Sequence, residues 1–538
     1  MNFTSRRSAV HARRGMVATS QPLATQAGLQ MLQQGGNAVD AAVAAAAVLN
    51  VTEPTSCGIG GDMFALLYLN DSQQVVGING SGRAPAQLTL EQVRNDGLKG
   101  PALPSLHPHT ATVPGAIAGM LDLLDRHGSL ERSEVFRPAI ELAEDGFPVA
   151  PLTAYFWGRG VRQLQSGPYG TEMLLDGQAP KAGQLMRNPT LGRTFRTIVE
   201  EGRAGFYDGR VANAIVDLLG SMGGFLSLDD LRNHRSEWVE PISVDYKGTT
   251  VWEIPPNGQG LTALLGLNLL EGTDFSQVRH LSTEYFHLLI EALRIAFADT
   301  RYYVADPAVV DVPVEELLSK SYASKRRSLL LPDRHNPELT HGTPTANSDT
   351  VYFCTADAEG NACSFIYSNY MGFGTGLIPE GCGFTLQNRG ANFSLDPSHP
   401  NVLAPNKRPY HTIIPGMATV TDTQDLYCAF GVMGGFMQPQ GHVQVMLDML
   451  EYDLGPQETL DLPRFCLTDG TAGGEVALED GIPLQVMAEL ARMGHKVVPT
   501  VGHARAIFGR GQIIRKHPES GTWWAGSDPR ADGLALGF

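Results

Sequence analysis

The sequence predicts an α+β fold, with helices early and in the middle of the chain and hairpin strands late. Apolar residues recur at helical spacing over residues 23–34 and again over residues 284–303. Residues 350–357 and 362–368 are typical of two strands, and they flank a turn at residues 358–361. These observations predict helices packed in layers against a sheet.

Local signals set the limits of the first two helices. Gly35 and Gly36 end the first helix, because glycine can take the left-handed conformation found just after a helix. The second helix begins at Asn37, and Asp40 three residues later makes this start resemble a capping box. Alanine-rich residues 41–48 then present no bulk on any face, so we expect this helix to pack tightly against a sheet.

The later elements have similar signals. Ser282 and Thr283 precede the helix over residues 284–303, and Pro307 follows it. An apolar strand is predicted over residues 426–433, and a helix from about residue 442 to residue 452. The polar stretch between residues 332 and 347 indicates an exposed loop that ends abruptly at residue 350.

Composition excludes several classes of function. A net charge of -16 and a pI near 5.4 argue against a nucleic-acid or anionic-membrane partner, which would need clustered lysine and arginine. The arginines near the N-terminus are not followed by the apolar segment of a signal peptide, which favours a cytoplasmic protein. The six cysteines show no metal-binding spacing, so we expect buried free thiols.

Familiar catalytic motifs are missing as well. The sequence has no G-x-S-x-G, H-E-x-x-H, Walker A or G-x-G-x-x-G pattern. The glycine-rich residues 57–62 match no phosphate loop, and a tight turn is their simpler interpretation. We therefore expect neither a metal ion nor an organic cofactor.

Thr350 is the most informative residue, because the polar loop ends there and a strand begins. A threonine in a strand is ordinarily only a strand former. Hairpin register, however, brings Thr350 beside Ser368 and Asn369, so that two hydroxyl groups become neighbours. A threonine at a newly formed N-terminus would also carry its own α-amine, with a pKa of ~7.7–8.0, as a general base.

Two further segments have both a functional and an ordinary interpretation. Gly434 and Gly435, between a buried strand and a helix, could donate two backbone N–H groups to an oxyanion, or form a simple glycine turn. Lys407 and Arg408 could hold a substrate carboxylate, or lie in a solvated loop.

Several blocks of the sequence resemble the γ-glutamyltranspeptidase family, in the family's order and over nearly the whole chain. The blocks are GGNAVDAA at 35–42, TEP at 52–54, GIGGD at 58–62, TVPG at 112–115, DAEGNA at 357–362, FGTG at 373–376, NKRP at 406–409 and SDPR at 527–530. The resemblance implies an αββα-sandwich of the N-terminal nucleophile hydrolases. It also implies a precursor that cuts itself between Asp349 and Thr350, giving a large subunit of residues 1–349 and a small subunit of residues 350–538, with a dimer of such pairs as one arrangement.

The resemblance also implies roles for individual residues. Thr350 would attack the substrate amide and form an acyl-enzyme, and Ser368 would replace the family's second threonine. Gly434 and Gly435 match the family's oxyanion-hole pair. This part of the family pattern is complete in the sequence.

The substrate pocket departs from the family pattern. Asn392 stands where the family has an aspartate that pairs with an α-amino group, and His411-Thr412 replaces a serine pair. Tyr370 replaces an asparagine, and the family's arginine at the place of Ser81 is shifted to Arg83. An ammonium group buried without a carboxylate partner is costly, so a substrate without an α-amine is favoured.

The preferred hypothesis is therefore hydrolysis of a small carboxylate-bearing amide such as oxamate, with Arg83, Arg408 or His411 binding the carboxylate. A glutathione hydrolase or γ-glutamyltransferase and a glutaryl-type (cephalosporin) acylase are alternatives within the same family. An unprocessed protein that only binds a ligand is the alternative from another class.

Overall fold

Two seven-stranded antiparallel sheets form the centre of the fold in a computed structural model, which describes residues 7–339, 350–471 and 473–538. The strands in chain order are β1 (Val10–Ala12), β2 (Met16–Thr19), β3 (Asp62–Leu69), β4 (Gln74–Gly80), β5 (Phe147–Pro148), β6 (Leu185–Met186), β7 (Glu237–Val239), β8 (Ile242–Tyr246), β9 (Thr249–Glu253), β10 (Val351–Ala356), β11 (Ala362–Ser368), β12 (Gly416–Val420), β13 (Leu426–Val432), β14 (Phe465–Leu467), β15 (Val476–Glu479), β16 (Val497–Thr500), β17 (Gly511–Lys516), β18 (Trp523–Ser527) and β19 (Leu534–Gly537). One sheet has the order β19-β2-β10-β11-β3-β4-β7, and the other has the order β1-β18-β17-β13-β12-β9-β8. Strands β14, β15 and β16 form a third, smaller sheet, and β5 pairs with β6.

The two large sheets pack face to face. Ser364 on β11 donates its hydroxyl to the carbonyl of Phe430 on β13, with 3.5 Å between the two oxygens. Gly431 on β13 lies against the ring of Tyr352 on β10, and a Cβ at Gly431 would come within 2.5 Å of that ring. The glycine is therefore required for the close approach of the two sheets at this point.

Helices cover the outer faces of both sheets. In chain order they are α1 (Pro22–Gln33), α2 (Ala38–Thr52), α3 (Leu90–Asn95), α4 (Ala116–His127), α5 (Arg132–Asp145), α6 (Pro151–Ser166), α7 (Pro189–Glu201), α8 (Ala204–Tyr207), α9 (Gly209–Ser221), α10 (Leu228–Asn233), α11 (Gly260–Leu270), α12 (Thr283–Tyr303), α13 (Val314–Leu317), α14 (Lys320–Arg327), α15 (Met437–Glu451), α16 (Pro456–Asp461) and α17 (Leu484–Arg492). Helix α2 packs on β10 and β11, whereas α11 and α15 pack on the other sheet. The predicted αββα-sandwich is thus confirmed.

Residues on both sides of position 350 build each large sheet. In the first sheet, β10, β11 and β19 follow residue 350, and the other four strands precede it. In the second sheet, β12, β13, β17 and β18 follow residue 350, and the other three strands precede it. The two parts of the chain therefore share one hydrophobic core, in which neither has a complete sheet of its own.

Most elements predicted from the sequence are present. Helices α1, α2 and α12 and the hairpin β10–β11 lie within a residue or two of their predicted positions, apart from the end of α2, which continues to Thr52. Helix α15 is an exception, because it begins at Met437 and not near residue 442. Pro439 lies in the first turn of this helix, where a proline is tolerated because its missing N–H has no helical partner to lose.

All six cysteines are buried and free, as expected. Burial raises the pKa of several of their thiols, including that of Cys57, so these groups are inert packing residues. Among the described residues, no helix combines the length and the apolar character needed to cross a membrane.

The cap of α2 provides a test of the fold. Asn37 Oδ1 accepts from the N–H groups of Val39 and Asp40, at 2.9 and 3.2 Å, and the Asp40 carboxylate accepts from Asn37 N at 2.9 Å. We predict that Asn37→Ala lowers the free energy of unfolding by about 1–2 kcal/mol, because these helical N–H groups lose their acceptor. Urea unfolding followed by circular dichroism measures this loss.

Asn233→Ala is the matched control, because Asn233 is exposed at the last residue of α10. The control is expected to change the free energy of unfolding by less than about 0.5 kcal/mol. Equal unfolding curves for the two variants would contradict the role assigned to the cap.

Candidate active site

Thr350 lies immediately before β10 and is fully buried. Its Oγ1 donates to Ser368 Oγ at 3.2 Å, and Ser368 Oγ also accepts from Tyr370 N at 2.7 Å. The β10–β11 register pairs Val351 with Tyr367, which places Thr350 opposite Ser368 at the end of the hairpin. The neighbouring hydroxyls predicted from the hairpin are confirmed.

The N-terminal end of α15 lies beside this hydroxyl pair. Gln438 in its first turn donates from Nε2 to Thr350 Oγ1 at 3.4 Å, and Gln438 Oε1 accepts from Ile414 N at 2.8 Å. A helix N-terminus carries a partial positive charge, which favours negative charge developing near it. The position suits a reaction in which an oxyanion forms next to Thr350.

Gly434 and Gly435 connect β13 to α15 at the same place. Their φ angles are +118° and +61°, in the region that favours glycine. The carbonyl of Gly435 accepts from Gln259 Nε2 at 2.8 Å, and the same Nε2 donates to the carbonyl of Thr412 at 2.6 Å. Gln259 thus fixes the glycine pair relative to the Thr412 segment.

Arg389 contacts both Tyr370 and Thr412, and the three residues form one wall of the candidate site. Its guanidinium stacks over the Tyr370 ring at 4.4 Å, and Nη1 donates to Thr412 Oγ1 at 2.6 Å. The residue is fully buried, and Nε and Nη2 have no hydrogen-bond partner among the described residues. Burial lowers the pKa of Arg389 to about 10, so the group stays charged at neutral pH.

Asn392 completes this wall. Tyr370 OH donates to Asn392 Oδ1 at 2.5 Å, and Asn392 Nδ2 donates to the carbonyl of Tyr410 at 3.1 Å. Both polar atoms of the amide therefore bond within the protein. Tyr370, Asn392 and Thr412 are brought together as the sequence suggested, with Arg389 among them.

His411 has a different environment from the one that the sequence suggested. Its Nε2 donates to Asp62 Oδ2 at 3.0 Å, and its Nδ1 accepts from Ile413 N at 3.4 Å, so both nitrogens have protein partners. Burial lowers the pKa of His411 to about 3, and the imidazole is neutral. Burial alone would raise the pKa of Asp62, but hydrogen bonds from His411 and Gln387 and the charge of Arg389 lower it.

Arg83 and Arg408 bind two acidic residues. Arg83 contacts Glu237 and Asp306, each at 2.9 Å, and Arg408 Nη1 contacts Glu237 at 2.7 Å. Arg408 Nε donates to the carbonyl of Ser81 at 3.0 Å. Both guanidinium groups are thus paired with carboxylates, although Nη2 of Arg408 has no hydrogen-bond partner among the described residues. Arg389 has two such nitrogens.

Arg389, Gln438 and Asp62 are the site residues that sequence reasoning missed. A charged Arg389 only three residues before Asn392, and soon after the apolar Phe384 and Leu386, was the one available signal. Nothing local marks Gln438, because its contact with Thr350 arises only when α15 docks against the hairpin. The predicted cleavage residue Asp349 lies outside the described residues.

A cavity of about 440 Å³ opens beside Gly434. Its apolar wall consists of Leu106, Phe156, Met371, Phe373, Phe436, Met437 and Ile507. Arg159 and His503 are its charged and titratable lining residues. The Gly434 end of the site is therefore continuous with a space large enough for an apolar group.

An αββα-sandwich with a buried hydroxyl pair at the end of a central hairpin is the architecture of the N-terminal nucleophile hydrolases. The fold and relatives together make the chain an amidohydrolase. The gamma-glutamyltranspeptidase family model matches residues 24–538, and the chain belongs to the γ-glutamyltranspeptidase family.

Three comparisons illustrate the range of this family. The chain is 37% identical to the glutathione hydrolase-like YwrD proenzyme of Bacillus subtilis, over 97% of this chain and 98% of the relative. It is 32% identical to the oxamate amidohydrolase proenzyme of Klebsiella pneumoniae, with the same coverage of both chains. The crystal structure of cephalosporin acylase from Bacillus halodurans matches with a TM-score of 0.92 and 44% identity, over 99% of this chain and 97% of that chain.

The neutral His411 makes stability depend on pH. Its folded pKa of about 3 lies below the unfolded value of about 6.5, so its contribution is complete above pH ~6.5 and is lost as pH falls toward 3. We predict that wild type loses about 1.4 kcal/mol more per pH unit in this window than His411→Gln, which cannot take up a proton.

Urea unfolding at pH 7.5, 6, 5 and 4.5 measures the two slopes, and the other buried histidines contribute equally to both proteins. Parallel stability curves for the wild type and the variant would contradict a neutral, buried imidazole.

Proposed function

We propose that the chain is a self-processing threonine amidohydrolase that cuts itself between Asp349 and Thr350. Residues 1–349 would then form the large subunit, and residues 350–538 the small one. The observation that carries the proposal is the 3.2 Å hydrogen bond between Thr350 Oγ1 and Ser368 Oγ beside the N-terminus of α15. The proenzyme names of the YwrD and oxamate amidohydrolase relatives agree with processing.

In the processed enzyme, Thr350 Oγ1 attacks the substrate carbonyl while the α-amine of Thr350 takes the hydroxyl proton. The backbone N–H groups of Gly434 and Gly435 stabilise the oxyanion. When this intermediate collapses, the C–N bond breaks, the proton passes to the leaving amine, and an ester to Thr350 remains. Water then attacks this acyl-enzyme and releases the acid, and Ser368 keeps the nucleophile oriented.

We assign the substrate carboxylate to Arg389. A buried guanidinium with two unused donor groups is costly without an anion beside it, and a planar carboxylate matches these donors. Contacts run from Thr350 through Ser368 and Tyr370 to Arg389, so the anion would lie close to the reacting carbonyl. A short amide such as oxamate, whose carboxylate adjoins the amide carbonyl, fits this spacing.

A γ-glutamyl substrate fits less well. Its α-ammonium group would need a carboxylate, and the wall offers Asn392, whose amide is already bonded to Tyr370 and Tyr410. Asp62 accepts at one oxygen from Gly82 N and Gln387 Nε2 and pairs with His411 at the other. The glutathione hydrolase alternative therefore lacks an obvious partner for the ammonium group among these residues.

An acylase acting on a larger amide is the second candidate. The apolar cavity beside Gly434 could hold a bulky acyl or amine group that oxamate does not possess. The structural match to a cephalosporin acylase supports this alternative. Both candidates use the same nucleophile and differ in what occupies the cavity.

We predict that Arg389→Gln lowers kcat/KM for oxamate by about 10–100-fold, because a charged hydrogen-bonded pair is lost. The same substitution should lower kcat/KM for oxamide much less, because oxamide has a second amide in place of the carboxylate. Ammonia release from both compounds measures the preference. Arg137→Gln, an exposed arginine on α5, is the matched control and should behave as wild type.

Other results would assign the carboxylate to a different residue, or the reaction to a different substrate. An unchanged preference for oxamate over oxamide in Arg389→Gln would exclude Arg389, and a loss of this preference in Arg83→Gln would favour the original expectation for Arg83. Aniline release from a γ-glutamyl anilide, without ammonia from oxamate, would establish the glutathione-hydrolase alternative. Turnover of glutaryl amides alone would favour the acylase.

A further inference from the structure

A second polar cluster lies in the core beside α12, where Glu291, His287, His335 and His495 meet. Glu291, His287 and His495 are buried, and His335 is half-buried. His335 Nδ1 lies 2.8 Å from Glu291 Oε1, and His495 Nδ1 lies 3.8 Å from the same oxygen. None of these residues takes part in the reaction proposed above.

The hydrogen bonds of His287 determine which nitrogens carry protons. His287 Nε2 lies 2.7 Å from the carbonyl of Leu331, so this nitrogen must donate. With its proton on Nε2, a neutral His287 accepts at Nδ1, which lies 2.9 Å from His495 Nε2. His495 therefore donates from Nε2 and has a lone pair on Nδ1.

This lone pair faces the carboxylate of Glu291. His495 Nδ1 has no hydrogen-bond partner within the described part of the chain. Two electron-rich atoms thus point at each other across 3.8 Å inside the protein, and a cation between them would satisfy both.

We propose that Glu291 Oε1, His335 Nδ1 and His495 Nδ1 bind a divalent cation of the zinc type. Their three ligand atoms lie within 4.8 Å of one another, and ligands of tetrahedral zinc are roughly 3.3 Å apart, so small side-chain shifts complete the site. Two imidazoles and a carboxylate suit Zn²⁺, and water can enter beside half-buried His335 as the fourth ligand.

The surroundings are organised to orient these ligands. His495 donates to His287, and His287 donates to the carbonyl of Leu331. Metal-binding histidines commonly use their second ring nitrogen in such a hydrogen bond, which fixes the orientation of the ring. Glu291 Oε2 accepts from Asn336 N at 3.0 Å. Glu291 Oε1 shares a proton with His335 Nδ1 at 2.8 Å, and the ion would displace this proton and bridge the two atoms. Arg294 Nε lies 3.4 Å from Oε1, and its Nη2 is directed away to the carbonyl of Gly474.

The site would join the two parts of the proenzyme. Glu291 and His335 precede residue 350, and His495 follows it, so in the processed enzyme the ion would link the large subunit to the small one. This consequence rests on the proposed cleavage, but binding of the ion does not. Sequence spacing could not reveal the site, because its ligands are far apart in the chain.

The test uses the full chain after removal of any affinity tag, stripped with a chelator and dialysed against Zn²⁺. Mass spectrometry of the metal content should give about one zinc per chain in wild type and in uncut Thr350→Ala. His335→Ala, at a half-buried position where folding is preserved, should bind Zn²⁺ at least about tenfold more weakly. His517→Ala, at a surface turn, is the matched control and should bind as wild type does.

Cobalt provides an independent measurement. Co²⁺ bound at this site should give visible absorption of tetrahedral intensity in wild type, and the band should be absent in His335→Ala and His495→Ala. Wild type that retains no more zinc than His335→Ala, or equal affinity in all the variants, would overturn the proposal. Because Thr350→Ala cannot be processed, its zinc content separates this result from a failure of the proposed cleavage.

Discussion

The pairing of β10 with β11 is the constraint on which the rest of the site depends. It fixes Val351 opposite Tyr367, and thereby Thr350 beside Ser368. A slip of one residue would turn every side chain of the strand to the opposite face. Neighbours on both sides hold the hairpin in register, because β2 pairs with β10 and β3 pairs with β11. The position of Thr350 is therefore held by a whole sheet and not by a loop.

The buried charged groups of the site differ in the partners that stabilise them. Asp62 and neutral His411 satisfy one another, while Arg83 and Arg408 share Glu237. Within the described part of the chain, fully buried Arg389 has two guanidinium nitrogens without a hydrogen-bond partner, and buried Arg408 has one, Nη2. Since unpaired buried charge is costly, an arrangement of this kind is expected where a ligand supplies the missing partner. Arg389 stacks on the ring of Tyr370, and the backbone N–H of Tyr370 donates to Ser368, the hydroxyl neighbour of Thr350.

The first helices and the hairpin that positions Thr350 could be predicted largely because their signals are local. The turn at residues 358–361 fixed the hairpin, and hairpin register then placed Thr350 beside Ser368. The pocket was harder, because the partners of Arg83 and Arg408, Glu237 and Asp306, come from distant segments. No pattern in the sequence could show that these carboxylates already occupy the two arginines. Arg389 was missed for the converse reason, since only the tertiary structure reveals that two of its nitrogens have no hydrogen-bond partner among the described residues.

The central claim is that Thr350 becomes a free N-terminus and attacks the substrate, and intact-mass spectrometry tests it most directly. Wild type, Thr350→Ser and Thr350→Ala would be purified and weighed after incubation. The account predicts two fragments, residues 1–349 and 350–538, in wild type and in Thr350→Ser, which keeps a hydroxyl, and one uncut chain in Thr350→Ala. A single full-length mass in wild type, or cleavage of Thr350→Ala at the same bond, would contradict it and favour a protein that only binds its ligand.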